Sequence, residues 1–237
     1  MIGLCTDSHA LLPPLLVARF GIEVVPMTVR LGDDEFLEGV DLGHDELAAR
    51  LAGGSPPCVS LAAPSPGQFA LAFERLAERG ATEILSVHSV HAGKACGTTA
   101  SARLAAKHSP VPVRLVETAA SGFGHGCCVW AAAQAVARGV RLCDAASVAE
   151  ALGRRLVWVR LDPVSAVADL RAALPDTGVS LNVGLGASCP TLAALQDDLA
   201  ARLGSRSDVA EVVRYRLSPY EAGTRPHPRL ELVYFPA

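Results

Sequence analysis

Three short segments concentrate the residue types that could do chemistry. Each follows an apolar run and precedes a helical pattern: Thr6-Asp7-Ser8, residues 92–99, and residues 118–126. In a parallel sheet such loops gather at the carboxyl ends of the strands, where ligands bind. Asp7 could serve as a general base or a ligand-holding carboxylate, or as a turn-former that bonds its own backbone. Cys96-Gly97-Thr98-Thr99 has the composition of an anion pocket. A helix start offers free backbone N–H groups and the positive end of the dipole, glycine allows close approach, and the two threonines add hydroxyl donors. The alternative is that Thr98 only caps its helix. A thiol at a helix start ionises more readily, so a small-molecule enzyme with an anion site at Thr98/Thr99 and Asp7 or Cys96 as reactive group is one reading.

Other motifs are weaker. Gly122-x-Gly124-x-Gly126 invites comparison with the dinucleotide fingerprint, but its third glycine comes one residue early and no acidic residue follows about 20 positions on. His88 and His91 are spaced H-x-x-H, with His125 elsewhere, and no Cys/His cluster completes a zinc set; His88, ending a buried strand, suits a hydrogen-bonded structural role. No G-x-S-x-G is present. Lys94 and Lys107 are the two lysines, and Gly93-Lys94 lacks the following Ser/Thr of a phosphate-binding loop. No cofactor and no metal is expected.

The elements that must position these residues follow from periodicity. Strands are expected over 2–5, 22–31, 35–40, 83–88, 113–116, 156–161, 179–185, 209–217 and 230–235, with Gly32-Asp33-Asp34 turning a hairpin. Helices are expected over 15–20, from Asp41 to about Ala52, from Ser65-Pro66 to Gly80, and over 98–106, 127–137, 145–152, 163–174 and 190–203. Residues 53–63, 89–97 and 117–126 read as loops. Phe69, Ala72, Phe73 and Leu76 fall on one helical face and should be core. The β-α alternation through about residue 116 argues for a parallel sheet with flanking helices, and the end of the chain for a smaller mixed sheet. The expected fold class is two-lobed α/β, divided as 1–153 and 154–237.

Composition narrows the function. The chain has 237 residues, 50% of them hydrophobic and 19% charged, and a mean hydropathy of +0.31. It can bury a large core. The most apolar stretch, 127–137, is about half of the ~20 residues a membrane-spanning helix needs. A net charge of −3 supplies no global field for nucleic acid, and the arginines between Arg202 and Arg229 alternate with Asp208, Glu211 and Glu221. Seven cysteines without C-x-x-C, and no basic start before an apolar run, lead us to expect reduced thiols in the cytoplasm.

In order along the chain, several segments resemble the bacterial DegV family. Thr6-Asp7-Ser8 with Leu12-Pro13 resembles its opening T-D-S-x-x-x-L-P; Gly21 to Pro26 followed by Gly39-Val40-Asp41 resembles the next signature; Pro64-Ser65-Pro66-Gly67-x-Phe69 resembles P-S-P-G-x-F. Gly97-Thr98 with Ser101-Ala102 resembles S-G-T-Y-x-S-A, and Gly124-x-Gly126 resembles M-G-x-G. The resemblance holds through about residue 150. It implies a non-catalytic binder of a fatty acid or other acyl chain between two α/β lobes, which in some members is presented to a partner fatty acid kinase. On this reading Ser60, Leu61, Ala62, Cys96, Gly97, Thr98, Thr99 and Gly124 surround the ligand, with Thr6 and Asp7 nearby. An interaction or regulatory protein without lipid is the other reading the resemblance leaves open.

The departures from the family pattern fall at the head-group end. Leu61-Ala62 stands where the family has Thr-Ser, leaving Ser60 as the nearest hydroxyl; Cys96 replaces a serine, and Glu117-Thr118 replaces Asp-Ser. The late G-x-H-x-G-P-G is reduced to Ala222-Gly223-Thr224-Arg225-Pro226, and the C-terminal lobe reads as shortened. A lipid site here should keep its apolar drive, while its selectivity for a carboxylate and the presentation of that carboxylate to another enzyme should weaken.

Overall fold

The computed structural model describes residues 1–42, 46, 59–90, 97–161, 180–183, 197, 200–201, 209–217 and 229–236. The chain divides into two compact units, one of residues 1–41 with 61–154, the other of 42–60 with 155–237.

The first unit is built on a parallel sheet. Strands β1 (Ile2–Asp7), β2 (Glu23–Val25), β6 (Glu83–Ser89) and β7 (Val113–Thr118) lie in the order β2-β1-β6-β7, all parallel neighbours. Successive side chains on a strand face opposite sides, and here each side meets helices. Cys5 and Ile84 pack with Phe69, Ala72, Phe73 and Leu76 of α2 (Pro66–Glu78) and with Ala102 and Ala105 of α3 (Gly97–Ala106). The four apolar positions expected on one helical face are the four buried residues of α2. Ser65 starts that helix with a reciprocal capping box to Gln68, and Pro66 occupies the first turn. The opposite side of the sheet meets α4 (Gly122–Ala137) and α5 (Leu142–Arg155): His125 of α4 reaches Thr6, and Gly153 of α5 lies against Thr118.

Four expectations need correction. The run 22–31 is two strands, because Pro26 has no N–H for a ladder and the Met27 N–H goes to the Ser8 hydroxyl at 2.9 Å. β2 joins the parallel sheet, while β3 (Thr28–Leu31) pairs antiparallel with β4 (Asp34–Leu37) around Gly32-Asp33. Residues 59–62, expected as loop, form β5 (Val59–Ala62) in a three-stranded sheet of order β4-β3-β5. Thr6 and Asp7 belong to β1 rather than to the loop after it. The glycine-rich 122–126 is the first turn of α4, which is buried on nearly all sides and so carries no one-sided apolar stripe.

The second unit contains β8 (Val157–Leu161), β9 (Ser180–Val183), β10 (Val209–Leu217) and β11 (Arg229–Pro236), in the order β10-β11-β8-β9. β10/β11 and β11/β8 are antiparallel and β8/β9 parallel, giving the mixed sheet expected there. The helix expected over 163–174 lies outside the described residues, as does most of those expected over 41–52 and 190–203. No helix among the described residues is long and apolar enough to cross a membrane.

Candidate functional site

The carboxyl ends of β1, β6 and β7 carry polar groups buried on both faces of the sheet. On the α2 face, Asp7 and His88 come from adjacent strands, 81 residues apart in sequence. His88 Nδ1 donates to Asp7 Oδ2 at 2.8 Å, and His88 Nε2 meets the Ser86 hydroxyl at 2.8 Å. The other carboxylate oxygen accepts the His9 N–H at 3.0 Å and caps the 3-10 turn Ser8–Ala10. Burial works against charge on Asp7, but the hydrogen bond from His88 and its field outweigh it and hold the carboxyl below its ordinary value. Ser86, His88 and Asp7 thus have the spacing of a hydrolytic triad, yet Ser86 and His88 are fully buried and the Phe69 ring stands edge-on to the imidazole at 5.2 Å. No substrate reaches that serine in this arrangement.

On the opposite face His125, in the first turn of α4, bridges two strands. Thr6 donates its hydroxyl hydrogen to the Val87 carbonyl at 2.9 Å. It therefore accepts from His125 Nε2, 3.2 Å away. Nδ1 is left as an acceptor for the Thr118 hydroxyl at 2.9 Å. The ring is neutral in this scheme; burial pushes its pKa down to about 3. His9 Nε2 meets the Ser121 hydroxyl at 3.1 Å and accepts the Gly122 N–H at 3.4 Å, so an imidazole caps α4 where Ser121 does not. Ser8 donates to buried Glu38 at 2.5 Å. Burial also pushes up the thiols of Cys5 and, to about 12, of Cys128, which suits packing rather than reactivity.

The start of α3 is different in character. Gly97 is exposed, while Thr98 and Thr99 are 5% and 1% exposed. No described residue meets the Thr98 hydroxyl with a hydrogen bond. A buried hydroxyl without a partner is destabilising and unusual. A side chain on Gly97 would stand 3.2 Å from Ala63 Cβ, so glycine lets the segment after β5 close on this helix start. Leu61 is half-buried, Ser60 and Ala62 are exposed, and Cys96 lies outside the described residues.

Among the expected site residues, Thr6, Asp7 and Gly124 are buried and bond to protein groups: the Gly124 carbonyl accepts from the Cys128 thiol. Ser86 and Glu38 were not singled out from the sequence, and Thr118 stood out only as the start of a candidate loop and as a departure from the family pattern. The alternation Cys5, Asp7 on one strand beside Ser86, His88 on the next was the available signal. Among the described residues no group of three or more His, Cys, Asp or Glu side chains is arranged to hold a metal.

A family model described as "Uncharacterised protein, DegV family" matches residues 1–156. A DegV domain-containing protein of Streptomyces coelicolor is 38% identical over 149 residues, covering 63% of this chain and 52% of that protein. One from Deinococcus radiodurans is 35% identical over 138 residues, 58% of this chain and 48% of the other. The chain spans about half the length of the curated relatives it matches. Among solved structures, a fatty-acid-binding DegV family protein from Thermus thermophilus superposes with a TM-score of 0.70 at 23% identity, covering 99% of both chains. A stearic-acid-binding protein from Eubacterium ventriosum gives 0.70 at 14%, covering 99% and 98%. At these identities the likeness establishes the fold.

Proposed function

This chain belongs to the DegV family, and from that premise we propose that it is a non-catalytic, cytoplasmic carrier of a fatty acid or related acyl lipid, which it presents to a partner enzyme such as a fatty acid kinase. Solved proteins of the same fold are described with stearic and vaccenic acid. The observation that carries the reading is the start of α3: a buried threonine hydroxyl with no described partner, at the positive end of a ten-residue helix, beside a glycine. Such a hydroxyl can donate to a carboxylate at low cost, because it gives up no hydrogen bond to a described residue.

The magnitudes divide the labour. Each buried methylene is worth roughly 0.8 kcal/mol, so a long acyl chain gains on the order of 10 kcal/mol before ordering costs. A hydrogen bond to a charged group is worth about 1.5–3 kcal/mol. The tail therefore supplies most of the affinity and the head contacts set orientation. This is why Leu61 and Ala62 can replace hydroxyl residues without abolishing binding.

Thr98→Val tests the reading. The change is nearly isosteric and removes an unsatisfied buried hydroxyl, so the ligand-free protein should be as stable as the parent, or more so. Palmitate affinity should fall about tenfold, which is the lower end of that hydrogen-bond range, and affinity for methyl palmitate should change far less. Unchanged palmitate binding, or an equal loss for both ligands, removes Thr98 from the head-group site.

A further inference from the structure

His125 couples the two strand ends nearest this edge of the sheet to the helix behind them. Its ring touches β1 through Thr6 and β7 through Thr118, and its backbone lies in the first turn of α4. Both bonds use the neutral ring: Thr6 can only accept at Nε2, because its hydrogen is committed to Val87, and Nδ1 takes the Thr118 hydrogen. A second ring proton would face Thr118, whose hydroxyl would have to turn to the His88 carbonyl 3.5 Å away. It would also place positive charge at the positive end of a helix with no acidic residue in its first turn.

We propose that His125 is a positioning residue that acts as an acid-released clasp: neutral, it holds the carboxyl ends of β1 and β7 against α4; protonated, it lets them part, and the ligand edge of the sheet loosens. This deepens the lipid-carrier reading and, where ligand release is concerned, rests on it.

The surrounding groups do not supply an alternative charge balance. The field of the Asp7 carboxylate favours a proton on the ring, but its oxygens bond His88 and the His9 N–H on the other face of the sheet, and burial together with His88 of β6 and His9 of the 3-10 turn outweighs it. From α4 itself the neighbouring Cys128 thiol donates to Gly124. From α5, Glu150 faces Arg114 of β7 at 4.0 Å and Asp144 pairs with Arg141.

The sign follows from linkage. In the clasped state the ring resists protonation down to about 3, whereas a freed histidine binds a proton near its ordinary 6.5. The open state then binds more protons throughout that interval. The clasp is at full strength above pH 6.5, and the open population rises about tenfold for each pH unit below it.

The test is amide hydrogen exchange on the full chain, corrected for intrinsic exchange, between pH 7 and pH 4.5. Protection of amides in residues 122–128 should fall about tenfold per pH unit below pH 6, while amides of α2 keep theirs. His125→Gln, whose amide can donate to Thr6 and accept from Thr118 without titrating, should be protected at pH 7 and insensitive to pH. Imidazole ¹⁵N shifts of the wild type should show the neutral Nε2–H form at pH 5. Protection independent of pH, a His125 ring already cationic at pH 6, or a variant as acid-sensitive as the parent would each overturn the clasp. Retention of preloaded palmitate, measured alongside, separates the two ideas. Failure to load at pH 7.5 counts against the lipid reading and leaves the exchange result to judge the clasp.

Discussion

Replacing His88 with leucine is expected to lower the stability of the folded chain by about 3–5 kcal/mol at pH 7.5, the usual cost of leaving a buried carboxylate without its partner. The fold keeps Asp7 only 2% exposed. It offers the carboxylate one other described donor, the His9 N–H, on the opposite oxygen. Leucine fills the space beside Phe69 but leaves Oδ2 and the Ser86 hydroxyl without the imidazole. The pH dependence identifies the cause. In the wild type the Asp7 carboxyl lies below its ordinary value, so its contribution is complete above the unfolded pKa of about 3.9 and is lost as pH falls through the lower folded value. In the variant, burial without the imidazole raises that pKa, the carboxyl takes up a proton more readily, and the deficit relative to wild type should shrink as the pH is lowered towards 4. Urea unfolding at both pH values reads this directly. Asp7→Asn added to His88→Leu should recover part of the loss, because a neutral amide is left in place of an unpaired charge. A cost under 1 kcal/mol, or one that does not change with pH, would show that His88 does not hold Asp7 as a carboxylate.

A methyl group at position 126 should be almost as damaging. The Cβ of Gly126→Ala would stand 2.1 Å from the carbonyl oxygen of Ala10, and neither partner is a flexible side-chain end that could swing aside. Either α4 or the 3-10 turn must move, at a cost of about 3 kcal/mol, the upper part of the usual range for overpacking. The movement would carry His125 and Ser121 with it, because they lie in or next to the same turn of helix. Gly67→Ala is the matched control. It is also in the first turn of a helix, its added Cβ would meet only the Ser65 hydroxyl at 3.9 Å, and alanine is the better helix former, so stability should hold or rise by about 0.5–1 kcal/mol. Thermal or denaturant melts of the two variants should therefore move in opposite directions. Equal behaviour would mean that the contact at Ala10 does not constrain the helix.

These two positions show what could be read from the residues and what could not. Asp7 was legible as a turn-former, and its Oδ1 does cap the backbone two residues on. Its second bond, to a strand 81 residues away, depends on strand order, which no local pattern encodes. The core of α2 was legible because Phe69, Ala72, Phe73 and Leu76 share one face of a helix whose other face is polar. Of α4, residues 127–137 were legible as a buried helix but its first turn was not, because the glycines there serve close packing and a spacing that suggested a loop was the opening of the helix. The hairpin at Gly32-Asp33 was legible from its turn residues, whereas the break at Pro26 needed the competing bond from Met27 to Ser8. At the site, Thr98 and Thr99 were recognisable as hydroxyls at a helix start. That Thr98 would be buried without a described partner was visible only once the helix was packed.

In the proposed function, hydrocarbon occupies this protein. The most direct check is quantitative mass spectrometry of an organic extract from the purified full chain, made after incubation with palmitate at pH 7.5 and removal of excess by gel filtration. The predicted result is close to one acyl chain per protein molecule. An extract free of acyl chains, from protein shown to be folded, would contradict it.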